Sequence, residues 1–188
     1  MYGKERNGPA RYWYDDGILQ MECHYKNDRL DGKLMRYYQN GYIEEEQNYS
    51  NDTLNGFNRM WDRIGNLMLE TSYLKGKLNG TYQEFYPNRV IKSEGQYNKG
   101  NIDGQWLYYD ELGLVIGEGT FRNGSGIQKS YYAENGKLKR VTDYRNNLRD
   151  GQESEYAPDG TLTTVKIYRE GNLVETKTAP IRMNSTKK

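Results

Sequence analysis

The sequence predicts an all-β protein, an elongated single-layer antiparallel sheet of repeated β-hairpins. Three observations carry that expectation. Glycines recur at a fixed spacing, aromatic residues recur in register with them, and the residues between alternate apolar and polar as in a half-buried strand. One glycine series falls at Gly8, Gly32, Gly56, Gly80, Gly104, Gly126 and Gly151, in steps of 24, 24, 24, 24, 22 and 25 residues. A second falls at Gly17, Gly41, Gly65, Gly113, Gly136 and Gly160, with Arg89 standing where one glycine is expected. Aromatics stand at Tyr25, Tyr49, Tyr73, Tyr97, Phe121, Tyr144 and Tyr168. Others follow each first-series glycine by five residues, at Trp13, Tyr37, Trp61, Phe85, Tyr109, Tyr131 and Tyr156. Aliphatics precede the first aromatic set by six residues, from Leu19 and Ile43 to Leu138 and Leu162. Such registers mark an array whose units bury apolar surface against one another.

Each repeat reads as two strands and two turns. Leu19, Met21, Cys23 and Tyr25 alternate with Gln20, Glu22, His24 and Lys26, which is a strand. Asn27 to Gly32 reads as a turn, with Asp31-Gly32 supplying residues that tolerate positive φ. Leu34 to Tyr38 is the second strand, and Gln39-Asn40-Gly41 the second turn. The turn element returns at Leu54-Asn55-Gly56, Leu78-Asn79-Gly80 and Ile102-Asp103-Gly104. Short turns make neighbouring strands antiparallel. Seven repeats give an array of about 15 strands over residues 1–177, followed by a polar tail, 178–188, that frays or covers the last sheet edge. A local kink or bulge is expected where Arg89 replaces a glycine and where the fifth repeat is two residues short.

Composition narrows the function. The chain has 188 residues, with 27 Lys and Arg against 26 Asp and Glu, a net charge of +1. No basic surplus exists to hold nucleic acid or an anionic membrane. Leu, Ile, Val and Phe supply only 32 residues, while 19 Tyr and 3 Trp supply amphipathic rings, so a thick aliphatic core is not expected. One Cys and one His exclude an intrachain disulfide and a Cys-based zinc site. No apolar run approaches the ~18 residues of a membrane span. Met1 to Arg6 carries no apolar signal region, so the chain as given is expected in the cytoplasm, an upstream segment being the alternative.

The pattern Leu19, Glu22, Tyr25-Lys26, Leu30-Asp31-Gly32, Tyr37-Tyr38, Asn40-Gly41 resembles the MORN repeat in its bacterial variant form, as found in the YwqK-type antitoxin family. The resemblance runs from about Tyr2 to about Thr176. It implies a twisted sheet of hairpins that acts as a binding surface, and it assigns no residues. Arg11 to Gly17 and Gly104 to Tyr109 are also similar to aromatic–glycine cell-wall-binding repeats. The longer period, and the glutamates at Glu22, Glu46, Glu70, Glu94 and Glu118, favour the MORN form.

No catalytic, metal or cofactor residues are expected. Cys23 and His24 are adjacent, so on a strand they face opposite sides and cannot form a nucleophile–base pair. The glutamates repeat two strands apart, about 10 Å, too far to share a proton or calcium ion. They are expected to pair across strands with residues such as Arg36 or Lys92. The recurring aromatics are assigned to stacking between repeats. Tyr12, Tyr14, Tyr38, Tyr82, Tyr86, Trp106, Tyr108 and Tyr132 are irregular and are expected on the other face, as a partner-binding surface anchored by Trp106 and Tyr82. The expected function is therefore non-catalytic binding of a protein, a toxin or a scaffolded partner, with a glycan as the alternative.

Overall fold

The computed structural model describes residues 5–178, and the chain divides into two compact units, 1–100 and 101–188. The first unit holds β1 (Gly8–Trp13), β2 (Leu19–Lys26), β3 (Arg29–Tyr37), β4 (Ile43–Ser50), β5 (Thr53–Trp61), β6 (Leu67–Leu74), β7 (Lys77–Phe85) and β8 (Ile91–Asn98). The second holds β9 (Asn101–Tyr109), β10 (Val115–Arg122), β11 (Ser125–Tyr131), β12 (Leu138–Arg145), β13 (Leu148–Tyr156), β14 (Leu162–Arg169) and β15 (Asn172–Thr178). Within each unit every strand pairs antiparallel with its neighbours in sequence. The fold is the all-β, single-layer hairpin array read from the sequence. The expected polar tail lies outside the described residues, apart from Thr178 at the end of β15.

The tight turn is shorter than the sequence suggested. Asn27 and Asp28, at φ 50° and 64°, close the β2–β3 hairpin alone, as Asn51 and Asp52 close β4–β5 at 48° and 61°. Positive φ at both central residues is what a two-residue hairpin loop requires, and Asn and Asp tolerate it. Asp31-Gly32 lies inside β3 instead, in a bulge. Cys23 pairs with Leu34 and Tyr25 with Leu30, so Asp31, Gly32 and Lys33 together face His24. Gly32 takes φ 112° there and Gly56 takes 125° at the equivalent place. A Cβ on Gly56 would also lie 3.0 Å from the Asn48 Cβ.

Neither expected kink forms. In the fifth repeat the two missing residues are the bulge, so β10 and β11 pair without a break from Gly117–Ser130 to Arg122–Ser125. Gly126 accordingly loses the positive φ of its series and is required for space, because a Cβ there would run into the Thr120 carbonyl oxygen. Arg89 adopts φ 68°, and its N–H donates to the Tyr86 carbonyl at 2.9 Å as Gly41 donates to Tyr38 at 2.8 Å. A left-handed non-glycine residue costs about 1–2 kcal/mol. The Arg89 Nε donating to Asn66 Oδ1 at 2.7 Å offsets part of it.

The core is one row of side chains along one face of each sheet. Cross-strand pairs run Ala10–Cys23–Leu34–Gln47–Asn58–Thr71–Tyr82 in the first unit. They run Trp106–Gly119–Gln128–Thr142–Glu153–Lys166 in the second. Leu34, Thr71, Trp106 and Glu153 are all under 5% exposed. Trp106 is therefore core and not an exposed anchor. It fits because its cross-strand neighbour is Gly119, as Tyr108 faces Gly117 one row along. Residues at alternate positions along a strand share a face, and so do paired residues. That places Phe121, paired with Gly104, on the face of Trp106 in the second unit, and Tyr25, paired with Gly8, on the face of Tyr12 and Tyr82 in the first, so these recurring aromatics do not stand opposite the irregular ones.

Side chains also join successive hairpin turns along one edge. Asp31, Asn55 and Asn79 accept from the backbone N–H of Asn51, Lys75 and Lys99, each 20 residues on, at 3.1–3.2 Å. Asp103 of the shortened fifth repeat accepts likewise from the Asn123 N–H at 2.8 Å. Asn147 also reaches back past Gly124, its Oδ1 accepting from the Ile102 N–H at 2.9 Å and its Nδ2 donating to Asn101 Oδ1 at 3.1 Å.

Candidate functional site

The repeating glutamates lie on the face opposite the core row and are held within it. Arg11 pairs with Glu22 at 3.3 Å, Lys33 with Glu46 at 2.6 Å, and Arg59 bridges Glu70 at 2.6 Å and Glu46 at 3.8 Å. Gln83 donates to Glu94 at 3.2 Å. The expected partners differ. Arg36 and Lys92 point to the core side and pair with Glu45 at 3.4 Å and Glu84 at 2.7 Å. The aromatic of the following repeat decides the rest. The Tyr37 hydroxyl donates to Glu22 Oε1 at 2.8 Å, and the Tyr131 hydroxyl to Glu118 Oε1 at 2.6 Å. Trp61 and Phe85 carry no hydroxyl, and there Arg59 pairs with Glu46 and Glu70.

Burial, then the neighbouring carboxylate, pushes the Tyr37 and Tyr131 hydroxyls up to about 12. A tyrosine raised above its unfolded value of ~10 favours the folded state below that pH, and the contribution is lost as pH rises toward 12. Melting temperature should therefore fall between pH 10 and 12. In Tyr37→Phe that fall should be shallower; an identical profile would place the titration elsewhere.

Among the described residues no group of three or more His, Cys, Asp or Glu side chains is placed to hold a metal ion. Cys23 is buried at 5% exposure, while the exposed His24 places its Nδ1 3.0 Å from the Asp31 carbonyl oxygen.

The irregular aromatics fall into two groups. Tyr12, Tyr82, Trp106 and Tyr108 stand on the core face. Tyr82 meets Tyr97 edge-on at 5.8 Å, and Trp106 stacks on Tyr108 at 6.3 Å. The Tyr12 hydroxyl, followed by burial, holds Tyr25 up at about 12. Tyr14, Tyr38, Tyr86 and Tyr132 just follow the ends of their strands. Tyr14 donates its hydroxyl to the Tyr37 carbonyl, Tyr38 to that of Trp61 and Tyr132 to that of Tyr156, each at 2.8 Å. These hydroxyls tie one repeat to the next, so the phenols are structural, and the rings of Tyr14 and Tyr38 are half-buried. Lys92 lies over Tyr86 at 6.0 Å and Lys139 over Tyr132 at 5.4 Å.

In the first unit this arrangement leaves an open notch of about 590 Å³ lined by Tyr14, Tyr38, Gln39, Asn40, Glu44 and Arg63. Its amides are already committed. Gln39 Nε2 donates to Asp16 Oδ2 at 2.7 Å, and Asn40 Nδ2 to the Arg63 carbonyl at 2.7 Å. The Gln39 bond, with the Ile18 N–H, holds the Asp16 carboxyl below its ordinary range. The Arg63 guanidinium stands 5.6 Å from the Tyr38 ring centre. Among the described residues neither Arg63 nor Glu44 has an ion-pair partner.

Among the otherwise polar turns beside the notch, three apolar side chains stand open to solvent. Ile18 is 36% exposed, Tyr42 53% and Ile64 73%. The opposite edge of the same unit turns on Asn27-Asp28, Asn51-Asp52 and Lys75-Gly76, with Leu74 beside the last. Sequence reasoning named Tyr14 and Tyr38 but missed Glu44, Arg63, Ile18, Tyr42 and Ile64. The signal it passed over was the residue after each second-series glycine, which reads Ile18, Tyr42, Val90 and Leu114 in four repeats.

No curated protein matches the chain. The MORN repeat variant model matches residues 6–27, 30–51, 78–99 and 125–146. The first two matches hold every lining residue of the notch except Arg63. Those four segments are similar to the MORN repeat variant, and each lies in strands that pair antiparallel with their neighbours.

Proposed function

We propose that this protein is a non-catalytic protein-binding module, acting like an antitoxin or a scaffold by presenting one edge of its first unit to a partner. The observation that carries this reading is the asymmetry of the two edges. Three large apolar side chains, Ile18, Tyr42 and Ile64, stand in solvent on one edge, while the other turns on Asn27-Asp28, Asn51-Asp52 and Lys75-Gly76 and exposes Leu74 beside the last. Contiguous exposed apolar groups with a polar rim are the mark of an interaction surface. A glycan has less support, because the Tyr14 and Tyr38 hydroxyls already donate within the chain, which leaves mainly Glu44 and Arg63 to meet sugar hydroxyls. The test is a photo-crosslinking residue placed at Ile64 or at the control Lys75, in the native cell. Ile64 should form a discrete protein adduct and Lys75 should not. Adducts from Lys75 alone, or none from Ile64, would overturn the reading.

A further inference from the structure

We infer that the Tyr14–Tyr38 notch takes a proline-rich segment of the partner in the polyproline II conformation, with a basic residue beside it directed at Glu44. The inference rests on the protein-binding reading and adds the ligand's conformation and charge.

The first argument is spacing. Tyr14 and Tyr38 are equivalent residues of successive repeats, each fixed by the same hydroxyl bond to a backbone carbonyl. Successive repeats are two strands apart, so the rings recur at about 9.6 Å. A ligand that treats both rings alike must return to the same side at that interval. An extended β segment reaches about 10 Å at its third residue, but that residue points away. An α-helix returns after seven residues, at about 10.5 Å. Polyproline II has three residues per turn and rises about 3.1 Å per residue, so every third residue returns after about 9.3 Å. Among regular chain conformations it fits the repeat best.

The second argument is chemistry. With the phenol hydroxyls and the Gln39 and Asn40 amides committed, the notch offers ring faces and two unpaired charges. Proline rings pack on aromatic faces and bring no N–H that needs an acceptor, and the polyproline II backbone stays solvated. Asp15, Asp16 and Glu44 outnumber Arg63 at this edge, which favours a cationic flank on the ligand.

Phage-displayed random dodecapeptides, selected on the immobilised full chain, test this. Enriched peptides should carry prolines three residues apart next to Lys or Arg. A synthetic peptide of that consensus should bind Tyr38→Phe as it binds the parent, since the ring is kept. Binding should weaken at least tenfold in Tyr38→Leu and in Glu44→Lys, with Lys75→Ala unaffected. Glu44→Lys alters an unpaired side chain and should keep the parental melt, so lost binding there is not unfolding. Enrichment of peptides without the three-residue spacing, no enrichment, equal binding by Glu44→Lys, or preferential binding of chitohexaose would each overturn the inference. An Ile64 adduct combined with peptides of another spacing would sink the inference and leave the protein-binding reading intact.

Discussion

Phe121→Ala should lower the unfolding free energy by about 3–5 kcal/mol, at the upper end for a core truncation. Phe121 is 5% exposed and meets Tyr144 edge-on at 5.7 Å. Its ring lies over Gly119 and Gly126, where an added Cβ would overlap it. The neighbours that would have to collapse into the vacated space are glycines, with no side chain to move. Trp13 is 57% exposed, so Trp13→Ala should cost about 1 kcal/mol or less despite the larger side chain. Urea melts of the two variants measure the difference. Equal losses would mean that the array unfolds as one block in which burial at a site does not set the cost.

The second large effect lies in the polar end of the core row. Glu153 is 2% exposed. Its Oε2 lies 3.7 Å from Arg149 and accepts from Thr142 Oγ1 at 3.1 Å, while its Oε1 lies 3.7 Å from Lys166 Nζ. Removing a partner of a buried charge costs more than removing the charge itself, because the charge left behind stays desolvated. Lys166 also pairs with Glu155 at 2.7 Å and is partly exposed, so it tolerates the loss of Glu153. Lys166→Met should therefore cost about 2 kcal/mol or more, and Glu153→Gln less. Adding Glu153→Gln to Lys166→Met should restore part of the stability, which is the decisive outcome. A double variant less stable than Lys166→Met alone would show that the carboxylate is stabilising in its own right.

Much of the architecture could be read from the residues because repetition amplifies weak local signals. One Asp-Gly or one alternating run is ambiguous. Seven in register at Gly8 through Gly151 are not. The same averaging misled where a repeat departs from the pattern. The two residues absent before Gly126 looked like a source of distortion, because the bulge they would have formed was itself unseen. A bulge is defined by what stands across from it, and His24 facing Asp31, Gly32 and Lys33 is a fact of pairing rather than of composition.

The candidate site divides along the same line. Period-two alternation states which residues of a strand share a face: it set Tyr82 opposite Phe85, but it did not reveal that Tyr25 shares the face of Tyr12, or Phe121 that of Trp106. It does not state which face is buried, since in a single layer both faces border solvent and burial depends on volumes across strands. Trp106 and Gly119 lie 13 residues apart, and their fit becomes visible only when β9 and β10 are in register.

The sequence by itself determined the strand content, the antiparallel order and the repeat length, because each follows from local chemistry multiplied seven times. Only the tertiary structure decided that Trp106 is core, that the Tyr14 and Tyr38 hydroxyls are spent on the next repeat, and that Glu44 and Arg63 are left without ionic partners beside exposed apolar side chains. The physical reason is that burial and the satisfaction of polar groups belong to pairs of residues 11 to 24 positions apart. Their proximity is set by strand register, which no single repeat contains.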